Sequence, residues 1–375
     1  MIQIGKSWRR CAVIAGVWGV TLCGVASLSG CKPTSEGEVA VYCRLDEEYA
    51  YPILDAFERS VDYETSVVAD FDYAPTRSPS QNSADQNSVV SADTNSGPRD
   101  GLFQLILAER KSPQCDVFWD NEILQTIRLQ KLGLLQPHDW SVPADWPTDL
   151  IAADGTWCGF AANARVLLVN TDLLNDPTEY PQSVLELGES KWKDRAAMSS
   201  PLSGSNATHW AVLRQHLGRA STLDQLETIA RNALILPSNQ QVARAVSAGQ
   251  VAWGLTDSSH VMIEQELGYP VAVVFPDQQP SQLGTLRIPN TLAILKGAPD
   301  PVAASQFVNY LMTPEMEDRL AMGPTSQMPI SKQSKFPPAV LPDHAVRWMR
   351  VNFEEAAEGW DEWVADVNAI SSPVN

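Results

Sequence analysis

Short apolar runs alternate with amphipathic stretches from residue 39 onward. The runs at 39–43, 65–71 and 115–119 have the length and composition of strands, and the stretches 46–60 and 101–111 space their apolar residues as a helix does. A strand–helix rhythm of this kind predicts an α/β fold with a parallel sheet and helices on its faces.

The carboxyl ends of the predicted strands define one rim of this sheet. Ligands of parallel α/β sheets bind at that rim. The order of the elements places Asp46, residues 70–73 and residues 120–122, with Glu122, on it. We therefore expect the polar groups of a binding site there.

A second α/β region follows a long apolar run at 160–170, which is long enough to leave one domain and reach another. Its predicted strands lie at 195–200 and 251–256 and its helices at 205–218, 222–233 and 239–250. The return path is predicted at 271–278 and 284–297, and final helices at 300–321 and 343–368. One α/β domain interrupted by another, with two crossing strands, predicts two lobes and a cleft between them.

The predicted organisation has six parts. They are a signal peptide at 1–30, a tether at 31–38, a first lobe at 39–165, a second lobe at 166–278, a return to the first lobe at 279–312, and C-terminal helices at 313–375 that pack on the lobes. Residues 75–100 are rich in Ser, Asn, Asp, Gln and Pro, and we predict a disordered insertion there because they offer too little apolar surface to bury.

The N-terminal segment has the pattern of an export signal. Three basic residues and no acid stand in the first ten positions, and an apolar stretch follows at 11–28. The sequence "LSGC" at 28–31 resembles a bacterial lipobox, which predicts cleavage before Cys31 and attachment of lipid to it. A transmembrane anchor is the alternative, since the run is near the minimum spanning length of roughly 18 residues.

The charge of the chain is strongly negative. Residues 1–30 hold three of the 27 basic residues and none of the 45 acidic ones, which leaves a formal charge of −21 on the remainder. Such a charge argues against nucleic acid and anionic lipid as partners.

Three cysteines remain after the signal and Cys31 are set aside. Cys43, Cys115 and Cys158 show no CxxC and no metal-ligand spacing. Each lies in or beside an apolar run, which favours buried free thiols. A single disulfide among them is the alternative.

The stretch 199–210 joins a Ser- and Gly-containing loop to a helix. Unpaired N–H groups at a helix start favour an anion, and Gly204 between Ser203 and Ser205 would let the backbone approach a ligand closely. The alternative is simple capping by Ser205 or Asn206.

Other polar residues near the predicted cleft have two interpretations each. Arg165, in the crossing strand, faces either an anion in the cleft or a structural carboxylate. Asp257 and Asp46 are either ligand contacts or helix caps, and His260 is either a ligand contact or a surface residue at a helix start.

Motifs of common enzymes are absent from the sequence, since it contains no GxSxG, HExxH, Walker loop or GxGxxG. A binding protein is therefore the first hypothesis. The alternatives are a cleft enzyme acting on a small anionic substrate and a lipid-anchored interaction protein without a small ligand.

Several segments in order resemble the extracellular solute-binding proteins of bacterial ABC importers, in the branch named for ferric-iron binding. The segments are "VYCRLDEEYAYPILDAFE", "LFQLILAERKSPQCDVFWDNE", "ARVLLVNTDLL", "KWKDRAAMSSPLSGSNATHWAVL", "QQVARAVSAGQVAWGL" and "GTLRIPNTLAILKGAPDPVAASQFVNYLMTPE". The resemblance implies a two-lobed periplasmic-binding-protein (flytrap) fold of the class with two crossover strands. It also implies export to the periplasm or cell surface, partnership with the transmembrane subunits of an ABC permease, and a monomer that captures a small anion or a metal with an anion.

The chain departs from this family where the metal ligands stand. Ser259 and His260 occupy the places of two adjacent tyrosines, Asp46 replaces a histidine, and Asn121 takes the place of a glutamate, with Glu122 beside it. The resemblance implies that the loop in the stretch 199–210 holds an anion, which is either the ligand itself or a partner to the metal. The missing tyrosine pair argues against Fe³⁺ held by phenolate oxygens, and the metal of this chain, if it binds one, is left open.

Overall fold

A mixed β-sheet runs through the part of the chain that the computed structural model describes, which is residues 37–62, 64–71 and 101–371. Its strands are β1 (Gly37–Cys43), β2 (Thr65–Phe71), β3 (Val117–Asp120), β4 (Leu135–Gln136), β5 (Trp157–Asn170), β6 (Ala196–Ser199), β7 (Leu234–Leu236), β8 (Trp253–Asp257), β9 (Val271–Val274) and β10 (Arg287–Leu295).

Helices cover both faces of this sheet. They are α1 (Glu47–Ser60), α2 (Gly101–Glu109), α3 (Leu124–Lys131), α4 (Gly204–Leu217), α5 (Arg219–Asn232), α6 (Asn239–Ser247), α7 (Ser258–Glu266), α8 (Pro301–Leu311), α9 (Pro314–Met322), α10 (Phe353–Glu358) and α11 (Trp360–Ser371). Short 3₁₀ turns lie at Thr148–Leu150, Pro177–Glu179, Val184–Gly188 and Ser190–Trp192.

The sheet has two halves that share β5. The strand order is β2-β1-β3-β10-β5-β8-β6-β7, with β4 on β10 and β9 on β5. Residues 157–164 of β5 pair with β10, and residues 165–169 pair with β8. We call β1–β4, β10 and the start of β5, with α1–α3, α8 and α9, the first lobe. The rest of β5 with β6–β9 and α4–α7 is the second lobe.

The crossing strand β5 is buried along its whole length because it contributes to two cores. Leu167 and Val169 point into the cluster that contains Trp210. Val166 and Leu168 point into the opposite cluster, since successive side chains of a strand face opposite sides of the sheet. A run without polar alternation is what such a doubly covered strand requires.

The predicted α/β architecture is confirmed by the sheet and by its connections. In the first lobe β1 lies between β2 and β3 and is parallel to both, and in the second lobe β6 is parallel to β7 and β8. The long crossing strand predicted at 160–170 is β5. The division into lobes at particular residues stays a prediction.

The C-terminal region differs from the sequence prediction. The helix predicted at 300–321 is two helices, because Pro314 opens α9 and the residue before a proline is pushed out of helical geometry. The helix predicted at 343–368 begins only at Phe353, where the Asn352 side chain caps α10. Residues 343–352 are extended or irregular instead.

The cysteines of the described residues are free thiols. Cys43, Cys115 and Cys158 are all buried, and burial raises the pKa of each. The predicted signal peptide, Cys31 and the predicted insertion 75–100 lie outside the described residues. Within the described ranges, no helix combines the length and the apolar composition that crossing a membrane requires.

Candidate functional site

Arg165 and Asp257 face each other where β5 enters the second lobe. The antiparallel register makes them direct partners, and the next residue back along β5, Ala164, already pairs with Arg287 of β10. Arg165 is 0% exposed. Its Nη1 lies 2.7 Å from Oδ1 of Asp257, so the strand register creates a buried ion pair.

The first turn of α4 completes this ion pair. Ser205 Oγ accepts a hydrogen bond from Arg165 Nη1 at 3.1 Å and lies 2.9 and 2.7 Å from the two carboxylate oxygens of Asp257, to which it donates. Asn206 accepts from Arg165 Nη2 at 2.9 Å, and its amide nitrogen donates to the carbonyl of Ser199. The start of α4 is therefore tied to the lobe junction.

Asn239, at the start of α6, closes the group from a third side. Its Nδ2 lies 2.8 Å from Ser205 Oγ and 2.9 Å from Asp257 Oδ2. We call Arg165, Ser205, Asn206, Asn239 and Asp257 the Asp257 cluster.

The charges of the Asp257 cluster are balanced inside it. Burial by itself raises the pKa of Asp257. The electrostatic effects of Arg165 and His260, together with the hydrogen bonds from Arg165 and Ser205, outweigh burial, so the pKa lies below its ordinary value. Asp257 is thus ionised at neutral pH. Burial and the charge of Arg165 hold the pKa of the nearby His209 well below its ordinary value, so that imidazole is neutral.

A second polar group lies where β3 ends. The guanidinium of Arg44 donates to Asp120 at 3.1 Å and to Glu122 at 3.3 Å. Glu122 is 1% exposed and also accepts from the amides of Leu124 and Gln125 at the start of α3.

Thr208 of α4 links this group to the second lobe. Its hydroxyl donates to Glu122, which belongs to the first lobe. We call Arg44, Asp120, Glu122 and Thr208 the Glu122 cluster. Because residues three apart share one face of a helix, Ser205 and Thr208 present both clusters on the same side of α4.

The remaining predicted site residues take several positions. Ser203 is the N-cap residue of α4 and Gly204 its first residue, with a φ of +51°, and both are half-buried. Ser259 is buried in the first turn of α7, and His260 beside it is half-buried, with Nδ1 4.0 Å from Asp257 Oδ2. Asp46 is exposed at the start of α1.

Asp46 and Asp257 were each expected either to contact a ligand or to cap a helix. Neither Asp46 nor Asp257 makes a side-chain capping bond to its own helix within the described residues. The Asp257 carboxylate instead accepts hydrogen bonds from Arg165, Ser205 and Asn239. Arg165 faces a structural carboxylate, that of Asp257, which is one of the two interpretations that its sequence position allowed.

Sequence reasoning missed several members of the two clusters as site residues. Arg44 follows β1 and Asn239 opens α6, so the strand-end rule could have marked both. The sequence predicts only a capping role for Asn206. Thr208 lies inside a helix, where nothing in the sequence distinguishes it from a packing residue.

Metal ligands do not converge in the described residues. No group of three or more His, Cys, Asp or Glu side chains there is arranged to hold a metal ion. The pKa of the Tyr49 phenol, on α1, is raised by burial, by a hydrogen bond with Glu48 and by the charges of Glu48, Asp46 and Glu266.

A family profile described as bacterial extracellular solute-binding protein matches residues 112–355, and the chain belongs to this family. Its relatives include iron uptake protein A1 of Synechocystis sp., 27% identical over 236 residues that cover 60% of this chain and 64% of the relative. The Fe(3+)-binding periplasmic protein of Serratia marcescens is 29% identical over 154 residues, which cover 41% of this chain and 45% of that protein. The chain thus spans less than two thirds of each of these two relatives.

Solved structures share the fold at greater length. Iron-bound HitA from Pseudomonas aeruginosa superposes with a TM-score of 0.73 and 20% identity, covering 90% of this chain and 100% of that one. AfuA from Actinobacillus pleuropneumoniae, solved with exogenous fructose-6-phosphate, gives a TM-score of 0.70 and 19% identity over 89% and 99% of the two chains. The fold is therefore the two-lobed binding-protein fold, which accommodates chemically different solutes.

Proposed function

We propose that the protein is the substrate-binding component of an ABC importer, which captures a small solute between its lobes and delivers it to a membrane permease. The hydrogen bond from Thr208 to Glu122 carries this proposal, because it joins the two lobes beside a buried polar cluster. Family membership supports a solute-binding role.

The clusters suggest how a solute would change the conformation. Both lie on one side of α4, where the second lobe meets the first. A solute that contacts the two lobes at once binds the closed state better than the open state and shifts the equilibrium toward closure. The closed form then presents one fixed surface to the permease.

The cellular part of the proposal follows from the N-terminal sequence. Export places the protein in the periplasm or on the cell surface, and lipid on Cys31 holds it at the membrane as a monomer near its permease. The name of the family supports export. The lipid anchor rests on the "LSGC" sequence alone.

The names of the relatives make an iron(III)-related solute the first candidate. A bare Fe³⁺ ion needs several hard oxygen ligands, and among the described residues no group of three or more His, Cys, Asp or Glu side chains is arranged to hold a metal ion. We therefore propose a solute that brings its own metal ligands, such as a ferric chelate.

A paired assay tests this function against its alternatives. We expect ferric citrate or another small solute of a panel to raise the melting temperature, without turnover of a panel of chromogenic esters. Ser205→Ala should weaken that response, and Ser305→Ala, on the exposed face of α8, should leave it unchanged. Turnover that Ser205→Ala abolishes would favour a cleft enzyme, and neither turnover nor a thermal shift would favour an interaction protein.

A further inference from the structure

The start of α4 has the features of an anion site, but a carboxylate of the chain already occupies it. The carboxylate of Asp257 accepts hydrogen bonds from Arg165 Nη1 at 2.7 Å, from Ser205 Oγ at 2.9 and 2.7 Å, and from Asn239 Nδ2 at 2.9 Å. These are the cationic, hydroxyl and amide donors that a free oxyanion would need.

We propose that Asp257 is the resident anion of this site and a specificity-determining residue, which excludes free oxyanions such as phosphate and selects solutes that are neutral or positively charged where they meet α4. The proposal deepens the proposed function and rests on it.

The donors that reach Asp257 cannot also serve a second anion. A serine hydroxyl has one proton to donate, and that of Ser205 is directed to Asp257. Asn239 and Arg165 Nη1 are engaged by Ser205 and Asp257 as well. A phosphate would have to displace the carboxylate from a register that the pairing of β5 and β8 fixes.

The charges of the two clusters also argue against a free oxyanion at α4. The single charges of Arg165 and Asp257 cancel, and both side chains are buried. In the Glu122 cluster one guanidinium faces two carboxylates, Asp120 and Glu122. A further negative charge at α4 would therefore find the charge of Arg165 already balanced on one side and would approach the carboxylates of Asp120 and Glu122 on the other, and like charges brought together at low dielectric repel strongly.

The test uses inorganic phosphate as its probe. Asp257→Asn keeps the size of the side chain, removes its charge and leaves Arg165 without a counterion. We expect calorimetric titration at fixed ionic strength to show phosphate binding to Asp257→Asn on the order of tenfold to a hundredfold tighter than to the wild type. The double variant Asp257→Asn/Ser205→Ala should lose most of that gain.

A matched control separates this effect from the loss of any buried carboxylate. Asp318 is also buried and accepts from Ser334 and from the amide of Lys335, but it lies on α9. Asp318→Asn should gain no phosphate binding. Phosphate should also raise the melting temperature of Asp257→Asn and not that of the wild type, which keeps the test decisive if the variant is less stable.

Two results would overturn the proposal. One is wild-type protein that binds phosphate as tightly as Asp257→Asn does, and the other is an Asp257→Asn variant that folds and gains no binding. Because inorganic phosphate replaces the natural solute here, either result leaves the solute-binding function itself standing. Conversely, failure to find a solute would not alter the phosphate comparison.

Discussion

Arg165 is a fully buried charge, and its hydrogen bonds make that burial tolerable. Its two terminal nitrogens are directed at Asp257, Ser205 and Asn206, while its Nε has no partner among the described residues. Taking a charge out of water is costly unless a counterion and further hydrogen bonds compensate for it. Losing one member of the pair therefore leaves the other as an unpaired buried charge.

Replacing Arg165 with methionine tests this pairing. We expect Arg165→Met to lower the free energy of unfolding by about 3–5 kcal/mol, because Asp257 is left buried without its counterion. Chemical denaturation followed by circular dichroism measures the change.

An exposed ion pair supplies the control. Arg231 lies 3.6 Å from Glu227 on the surface of α5, and an exposed pair of this kind contributes about 0.2–1 kcal/mol. Arg231→Met should therefore change stability little. A loss in Arg165→Met no larger than in Arg231→Met would contradict the structural role of the buried pair.

At this scale the sequence indicates candidate residues but not their partners. Arg165, Ser205 and Asp257 were each candidates from local patterns, and they lie in one cluster. Their contact depends on the β5–β8 register and on where α4 begins, and a pattern along the chain contains neither. For the same reason Asp257 was predicted to meet a ligand or cap a helix, and not to occupy the anion site itself.

Among the elements, α4 organises the site because its first turns face both clusters. Its N-terminal residue Gly204 has a φ of +51°, a conformation that glycine adopts without strain. A Cβ added there would meet no described atom within 4 Å, so a substitution would strain the backbone without a clash.

Gly204→Ala should lower the free energy of unfolding by about 1–2 kcal/mol, the cost of a left-handed conformation for an L-residue. Gly268 has a φ of +82° and an equally open Cβ direction among the described atoms, and it lies after α7. Gly268→Ala should therefore cost a similar amount in a denaturation assay.

The two variants should differ in solute binding. Gly204→Ala displaces the start of α4, where the second lobe meets the first, and should weaken the solute-induced thermal shift, whereas Gly268→Ala should not. Equal effects of both on binding would mean that the α4 start has only a structural role.

Thr208 of α4 provides the contact between the lobes that is easiest to remove. Thr208→Val keeps the shape of the side chain and deletes the hydroxyl that donates to Glu122. We expect a more open average conformation, seen as a larger radius of gyration in small-angle scattering, and a weaker response to solute.

Thr228 is the matched control for this change. Its hydroxyl is exposed and bonds only the carbonyl of Asp224 within α5, as far as the described contacts go. Thr228→Val should leave the scattering profile unchanged. An unchanged profile for Thr208→Val as well would show that the Glu122 contact does not hold the lobes together.

Element identities were largely predictable because period and length separate strands from helices in this chain. The stretch 65–71 is β2 to the residue, and 205–218 differs from α4 by one residue at each end. The region 343–352 was not predictable, since its apolar residues pack against other segments without regular structure. One example is the bridge between Trp348 and Thr285.

For the whole molecule, the C-terminal helices add a connection that no local pattern indicates. The short helix α10 packs against α3 of the first lobe and α4 of the second. An ion pair from Lys131 to Glu358 reinforces the contact of α10 with α3, and a second ion pair, from Arg219 of α5 to Asp366 of α11, joins the last helix to the second lobe. Opening of the lobes must therefore be compatible with a segment that contacts both.

The family relationship and the two-lobed fold define what the molecule as a whole can do, and its two clusters restrict how. A solute that reaches α4 meets the buried pair of Arg165 and Asp257 on one side and the carboxylates of the Glu122 cluster on the other.

Native mass spectrometry of freshly purified protein tests the capture of a small solute most directly. We expect one additional small mass per chain under native conditions, which denaturation releases and which is depleted in Thr208→Val. A spectrum that shows only the mass of the bare chain, unchanged by denaturation and after incubation with ferric citrate and the rest of the solute panel, would contradict it.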